Sequence, residues 1–399
     1  MRHIPGAWRR AAAGAGLVGA DGTIHPTIFA EMSALAAATG AINLGQGFPD
    51  EDGPAVVLEA AREAIASGAN QYPPGRGILE LREAIAEHQR RFYGIALDPE
   101  REVLVTAGAT EALAAAILAL VDGPDDEIVV FEPYYDAYAA LAGLAGARLV
   151  TVPLRWPDFQ PDPGELAAAV TDRTRIILLN DPHNPTGTVF GDAVRAEIVR
   201  LAERHDAVIV TDEVYEHLVF DGPHTPIATV PGAAERTLSI SSGGKTFSTT
   251  GWKIGWISGP ADLVDAVLAV KQFLTYVNGS PFQPAIAAGL RLPDEVFADA
   301  AGTLRRKRDV LGAGLRAAGF DVATPAGSYF TVADAAALGA RDAHAFCRAL
   351  PGRTGVVAVP MTAFTTPERR AEYASLVRFA ACKRFDVLEE AAARLAALS

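Results

Sequence analysis

The sequence predicts an α/β protein: a large domain with a mostly parallel central sheet flanked by helices, plus a smaller α+β domain. Three observations lead there. Helix-like and strand-like patterns alternate through the middle of the chain, as in folds built from parallel strands and crossover helices. The strand-like runs are short and rich in β-branched residues, the character of strands covered on both faces. Unusual polar residues follow directly after several of these runs.

Residues 78–93 read as a helix with Ile78, Leu81, Ile85 and Phe92 on one face. Residues 103–106 read as a strand. A Gly108-Ala109-Thr110 turn follows, then a helix carrying Leu113, Ile117 and Leu120 at helical spacing. Further strands are expected at 127–131, 175–180, 207–211 and 237–241. After Ser280-Pro281 the pattern becomes charge-rich, with Arg305-Arg306-Lys307-Arg308, and ends in a helix that Asp386 and Glu389 would open as a capping box. The change of pattern predicts a large domain over 53–290 and a smaller one assembled from 26–52 and 291–399. Residues 1–25, with Arg2, Arg9 and Arg10 ahead of a Gly/Ala stretch, read as a disordered or loosely packed extension.

Composition narrows the function. Of 399 residues half are hydrophobic and 21% charged, enough apolar surface for a large core. Lys plus Arg number 35 against 48 Asp plus Glu, a formal charge of −13 that argues against a nucleic-acid binder. Cys347 and Cys382 are too few for a disulfide framework or a four-thiolate zinc site, and fit a reducing cytosol. No apolar run reaches the roughly 20 residues of a membrane helix, and no compact hydrophobic stretch of a signal peptide opens the chain. A cytoplasmic protein without membrane or nucleic-acid partners is expected.

Ligands of parallel α/β sheets bind where loops leave the carboxyl ends of the strands. Here those loops are Asn180-Asp181-Pro182-His183-Asn184-Pro185-Thr186-Gly187, Asp212-Glu213-Val214-Tyr215, Ser241-Ser242-Gly243-Gly244-Lys245 with Lys253 close behind, Glu132-Pro133-Tyr134-Tyr135, and Gly108-Ala109-Thr110. Together they offer a carboxylate, a phenol, an amide, an aromatic face, two lysines and a small-residue turn at a helix start. A phosphorylated pyridine aldehyde needs that set: free N–H groups for its phosphate, a carboxylate for its ring nitrogen, an amine for its aldehyde. Each residue alone has an ordinary reading. Lys245 would be a solvated loop lysine, Asp212 a helix cap, Asn184 a turn residue, Arg378 a surface ion pair, Thr110 a helix cap, and Tyr134, Tyr135 and Tyr138 core aromatics. Their joint occurrence in order carries the functional reading. The spacing of His183 and His217 marks no metal site, and Gly75-Arg76-Gly77 lacks the remaining glycine and preceding strand of a nucleotide loop.

The chain resembles the fold-type I, pyridoxal 5'-phosphate-dependent aminotransferases of class I/II. The resemblance rests on Ser-Ser-Gly-Gly-Lys245-Thr-Phe-Ser-Thr-Thr-Gly-Trp-Lys253, Asn-Asp-Pro-His-Asn184-Pro-Thr-Gly and Thr-Asp212-Glu-Val-Tyr215, and runs from about Pro26 onward. Asn-Leu-Gly-Gln-Gly47-Phe-Pro-Asp is similar to the kynurenine/glutamine/methionine aminotransferase branch. Phe-Ala-Glu-Met-Ser-Ala-Leu-Ala, Asn-Gln-Tyr72-Pro-Pro-Gly and Pro-Phe-Gln-Pro-Ala resemble actinobacterial proteins assigned as N-succinyldiaminopimelate aminotransferases.

The resemblance implies roles. Lys245 would be the Schiff-base lysine and proton shuttle, and Asp212 the partner of the pyridine nitrogen. Tyr215 and Asn184 would bond the phenolic oxygen, and Tyr135 would stack on the ring. Ala109, Thr110, Ser242 and Lys253 would cradle the phosphate, with Tyr72 reaching over from the second subunit of a homodimer. Arg378 would grip the substrate α-carboxylate, and Gly47 and Asn184 would touch the substrate. Phe29 stands where the kynurenine branch often has tryptophan, and Phe29, Tyr72, Arg76 and the 272–282 loop would set specificity.

The activity implied is ping-pong transfer of an amino group between an amino acid and a 2-oxo acid, with N-succinyl-LL-2-amino-6-oxopimelate and glutamate as the leading pair, the aminotransferase step of lysine biosynthesis. The alternatives are a broad kynurenine/glutamine/methionine aminotransferase and a cysteine-S-conjugate β-lyase. An effector-binding module of a transcription regulator would need a helix-turn-helix domain, for which the residues ahead of the matched region are too few.

Overall fold

The structure is a computed structural model that describes Ile4 and residues 6–19 and 21–398. Thirteen strands occur among the described residues: β1 Ile42–Asn43, β2 Val103–Thr106, β3 Glu127–Glu132, β4 Arg148–Pro153, β5 Thr174–Asn180, β6 Val208–Asp212, β7 Thr237–Ser242, β8 Gly255–Ser258, β9 Asp321–Val322, β10 Phe330–Asp334, β11 Val356–Val357, β12 Val359–Pro360 and β13 Leu376–Ala380. Seven form the main sheet in the order β2-β8-β7-β6-β5-β3-β4. All of these run parallel except β8, which is antiparallel to both β7 and β2.

The five strands expected from the sequence are present, β2 with the bounds expected and the other four lengthened or shifted by a residue. Two more, β4 and β8, have no strong apolar run to announce them. β4 lies at the sheet edge and only its last two residues are buried. Along β3, β5 and β6 alternate residues enter different cores. Val129, Phe131, Ile177, Leu179 and Ile209 join one cluster, and Ile128, Val130, Ile176, Leu178 and Val210 the other. Burial on both faces explains why these strands read as continuous apolar runs rather than as alternation.

The predicted helix at 78–93 spans Leu79–Tyr93, burying Leu81, Ala84 and Ile85, and Gly94 ends it in the left-handed region. The helix after β2 spans Gly108–Leu120 and buries Leu113 and Ile117, while Leu120 is only partly covered. The charge-rich stretch is one long helix, Asp294–Ala317, packed against the last helix, Phe385–Leu395. Its buried charges are satisfied: Lys307 pairs with Glu51, and Arg308 donates to the Pro325 carbonyl at 2.9 Å.

The C-terminal part carries an antiparallel sheet, β12-β13-β10-β9. β1 pairs in parallel with β11, and the helix Ile28–Thr39 packs on Ala343–Thr354. This brings Leu44 and Gly45 beside β13, where the Ala380 N–H donates to the Leu44 carbonyl at 2.7 Å.

Two expectations are corrected. Asp386 and Glu389 form no capping box. Arg384 is the N-cap residue, no side chain caps the helix, and Asp386 lies inside the first turn, bonded to Arg384 at 3.1 Å. The N-terminal extension is not loose where it is described. A helix, Trp8–Gly14, packs on Asp136–Ala145, and Arg10 donates to the Gly143 carbonyl at 3.1 Å. The crossing is close because two glycines face backbone: a Cβ on Gly14 would lie 2.2 Å from the Ala139 oxygen, and one on Gly143 2.4 Å from the Arg10 oxygen. Small residues, not an apolar stripe, make this contact, so periodicity gives no sign of it. Residues 1–3, 5 and 20 of the expected extension, Arg2 among them, lie outside the described residues.

Candidate active site

The loops after β2, β3, β5, β6 and β7 meet residues from the N-terminal segment and β13 around a cleft of about 370 Å³. Phe29, Gly47, Ala109, Thr110, Tyr135, Asn184, Asp212, Tyr215, Ser242, Lys245, Lys253 and Arg378 all line it. Every site residue expected from the sequence is therefore in one place except Tyr72, which is 82% exposed and touches Tyr276 edge-on, with ring centroids 5.8 Å apart. Arg76 is also elsewhere: it pairs with Asp265 and donates to the Arg101 carbonyl at 3.3 Å.

Lys245 sits on a single turn, Gly243–Thr246, directly after β7, with the Ser242 hydroxyl accepting from the Gly244 N–H at 3.2 Å. Loss of water around its ammonium lowers the lysine pKa; Cys382 and Asp212 oppose the shift, and Lys253 and Arg378 add to it. A lysine so placed has more of the neutral amine that attacks carbonyls and moves protons.

Asp212 ends β6 and is buried. Burial pushes its carboxyl up to about 6, against the Tyr138 hydroxyl and the Val214 N–H, which favour the anion. Tyr138 donates to Oδ2 at 2.8 Å, while Oδ1 has only a 3.4 Å contact from the Val214 N–H. No cation lies within ion-pair distance of Asp212 among the described residues. The position suits a cation supplied by a ligand.

Asn180, at the end of β5, ties two of these residues together. Its Nδ2 donates to the Asp212 carbonyl at 2.7 Å and its Oδ1 accepts from the Asn184 N–H at 2.6 Å. Asn184 Oδ1 accepts from Arg378 Nη1 at 2.9 Å, which leaves its amide N–H groups for a ligand. Tyr215 is buried and its phenol is pushed up chiefly by burial, so it remains a proton donor.

Arg378, on β13, is almost fully buried. Nη2 donates to the Gly45 carbonyl at 2.9 Å, and Nε has no partner. The guanidinium lies 4.0 Å from the Phe330 ring centre, 4.7 Å from Phe364 and 5.4 Å from Phe29. No carboxylate pairs with it among the described residues. A buried guanidinium fixed between aromatic rings, with no such partner, suits a carboxylate supplied by a ligand.

At the opposite end, Gly108 begins its helix with φ +71°, and a Cβ there would lie 3.3 Å from Lys253 Nζ. A Cβ on Gly255 would fall 2.8 Å from the Ala109 nitrogen. Lys253 Nζ is 3.5 Å from Thr110 Oγ1. Free helix N–H groups, a hydroxyl and a lysine form an anion cradle that side chains on either glycine would fill.

The donor set fits a flat, phosphorylated pyridine aldehyde: cradle at one end, an unpaired carboxylate for the ring nitrogen, donors for the phenolic oxygen, and an amine for the aldehyde. Sequence reasoning placed Asn180 in a rim loop without a role and gave Tyr138 only an ordinary reading as a core aromatic. Tyr138 stands one helical turn after Tyr135, and Asn180 is the last residue of its strand, the positions from which a side chain reaches the rim. His217 meets His88 and Glu216 behind the site; the Nε2 atoms of the two rings lie 2.6 Å apart, a direct imidazole–imidazole hydrogen bond.

The profile of the aminotransferase class I and II family matches residues 39–395. The chain belongs to that family. It is a pyridoxal-phosphate-dependent transaminase of fold type I. It is 52% identical over 94% of its length to the "Probable N-succinyldiaminopimelate aminotransferase" of Mycobacterium tuberculosis, covering 96% of that protein. It is 40% identical over 92% of its length to the methionine aminotransferase of Escherichia coli, covering 95% of it. The solved structure of the M. tuberculosis N-succinyldiaminopimelate aminotransferase superposes with a TM-score of 0.93 at 50% identity, each chain fully covered.

Proposed function

We propose that this transaminase moves an amino group from glutamate to N-succinyl-LL-2-amino-6-oxopimelate, and that the cleft around Lys245 holds pyridoxal 5'-phosphate. The observation that carries the reading is the convergence of a shifted lysine, an unpaired buried carboxylate and an unpaired buried arginine in one cleft. The 52% identity to the mycobacterial relative supports the substrate pair.

Ala109, Thr110, Ser242 and Lys253 would hold the phosphate, Asp212 the ring nitrogen, Tyr215 and Asn184 the phenolic oxygen, and Tyr135 the ring face. The bound cofactor supplies an electron sink for the negative charge that develops at the substrate Cα. Arg378 takes the α-carboxylate with its guanidinium and orients the Cα–H bond. Lys245, as the neutral amine, removes the Cα proton of the donor and in the second half-reaction delivers one to the Cα of the acceptor. General acid–base work of this kind contributes about 10²–10⁴-fold. Phe29, Phe330 and Phe364 keep water from Arg378, strengthening its hold on the carboxylate.

Three further elements belong to the proposal. Residues 26–52 and 291–399 form the smaller domain around a large domain of 53–290. The enzyme is a homodimer in which Tyr72 completes the partner's phosphate site; the exposed Tyr72, Phe273, Leu274 and Tyr276 offer an apolar face for that contact. It works in the cytoplasm; no described helix is long and apolar enough to cross a membrane.

Single-turnover absorbance with a panel of amino acids tests the substrate. Rapid conversion by glutamate and N-succinyl-LL-diaminopimelate supports the pair, whereas rapid conversion by kynurenine, glutamine or methionine alone assigns the broad reading. Pyruvate and thiol release from a cysteine conjugate, without glutamate-dependent exchange, assigns the β-lyase.

A further inference from the structure

We propose that Tyr138 is a positioning residue for the cofactor's ring nitrogen, acting through Asp212. The inference rests on the proposed placement of the cofactor ring beside Asp212. Its grounds are geometric. Tyr138 is fully enclosed, and its hydroxyl lies 2.8 Å from Asp212 Oδ2. A carboxylate only accepts, so the phenol is the donor. With Oδ2 held, the carboxylate cannot rotate freely, and Oδ1, whose single contact is the long one to the Val214 N–H, is the oxygen left for a ligand.

The same short helix presents the ring face. Tyr135 is the N-cap residue of Asp136–Ala145, and Tyr138 follows three positions later, with ring centroids 5.7 Å apart and planes at 89°. One helix start thus sets the aromatic wall of the cleft and the orientation of the carboxylate at its floor. That helix is itself braced from outside by the Gly14–Gly143 crossing.

The hydroxyl also favours the anionic form of Asp212. Burial acts against that form, and among the groups that restore it Tyr138 is the largest contributor. Without the donor the Asp212 carboxylate would be more basic and would hold a bound ring nitrogen's proton more strongly for itself, so the ring would be a weaker acceptor of the Cα electrons. Tyr138→Phe keeps the aromatic packing and deletes only the donor.

Three readouts follow. Titration of the cofactor into the cofactor-free protein should show a dissociation constant raised roughly tenfold, the lower bound for a hydrogen bond to a charged group. With cofactor ¹⁵N-labelled in the ring, the nitrogen resonance of the loaded variant should move toward that of unprotonated pyridine. In an Asp212→Ala background the tyrosine substitution should change affinity by less than about twofold, because its route of action is gone. A purely structural Tyr138 would lower thermal stability but leave the ¹⁵N resonance in place and cost the same affinity in both backgrounds; that result overturns the proposal. Should Tyr138→Phe not fold, 3,5-difluorotyrosine at position 138, a stronger donor of nearly the same shape, must shift the resonance toward the protonated form, and an unchanged resonance is the contrary result. Failure of the wild-type protein to bind the cofactor would sink the placement of the ring, a different outcome from normal binding with an unaltered variant.

Discussion

Replacing Arg378 by lysine separates charge from geometry at the proposed carboxylate site. The native guanidinium uses Nη1 for Asn184 and Nη2 for the Gly45 carbonyl, both at 2.9 Å, and keeps Nε free. A docked α-carboxylate would meet the remaining N–H groups of a planar guanidinium whose orientation these two bonds fix. A lysine ammonium keeps the charge but offers a single point of attachment, and it no longer pins both Asn184 and Gly45. Loss of one hydrogen bond to a charged group costs about 1.5–3 kcal/mol, a weakening of glutamate binding by roughly ten- to a hundredfold. The assay is the glutamate concentration dependence of the single-turnover half-reaction, with the cofactor dissociation constant measured in parallel. Glutamate affinity should fall within that range while the limiting rate falls less. Affinity within about twofold of wild type would refute the assignment of Arg378, since a carboxylate gripped by a planar guanidinium must register the removal of that geometry.

Other outcomes follow from the same geometry. Lys245→Ala should cut the half-reaction by about 10²–10⁴-fold or more with the fold intact, checked by stopped-flow absorbance and circular dichroism. Lys253→Ala should weaken cofactor binding by roughly tenfold or more, because it removes the charged donor of the cradle, and should leave glutamate affinity of the loaded enzyme nearly unchanged. Asp212 has a folded-state pKa of about 6 against an ordinary 3.8, so the folded protein binds this proton more tightly than the unfolded chain. Its contribution to stability is then full below the ordinary value and lost as pH rises through about 6. The cofactor-free Asp212→Asn protein should therefore melt above cofactor-free wild type at neutral and alkaline pH, with the gap closing in acid; thermal scans across pH decide it. Gly143→Ala should loosen the N-terminal helix and expose it to protease while the glutamate half-reaction stays within about twofold, since its Cβ meets the Arg10 carbonyl and no cleft residue.

How much of the fold and the cleft is legible in the sequence depends on how each residue is specified. Strands β3, β5 and β6 are apolar along their whole length because both faces are covered, and so they stand out. β4, at the edge and half covered, and β8, which turns back right after the Lys245–Lys253 segment, are too mixed in composition for periodicity to find. The cleft residues at and just after the strand ends are legible because the proposed chemistry dictates their type: a Schiff-base amine calls for the lysine, a pyridinium partner for the carboxylate and a carboxylate grip for the arginine. Asn180 and Tyr138 are bonded to other cleft residues, and an asparagine at a strand end or a tyrosine on a helix has many ordinary uses. Their roles become visible only as distances. The Trp8–Gly14 helix escapes for another reason: glycines that let backbones touch leave no hydrophobic pattern. Arg76 pairs within the chain with Asp265, a partner 189 residues away that local sequence cannot name.

The most direct test of the central claim is a single-turnover absorbance measurement of the cofactor-loaded enzyme, wild type and Lys245→Ala side by side, against glutamate and N-succinyl-LL-diaminopimelate. Wild type should convert rapidly with both amino acids, to the pyridoxamine form of the cofactor and the matching 2-oxo acid, and the variant should not. Conversion by neither amino acid in a wild-type protein that binds the cofactor would contradict the proposed substrate pair, and undiminished turnover by Lys245→Ala would contradict the site itself.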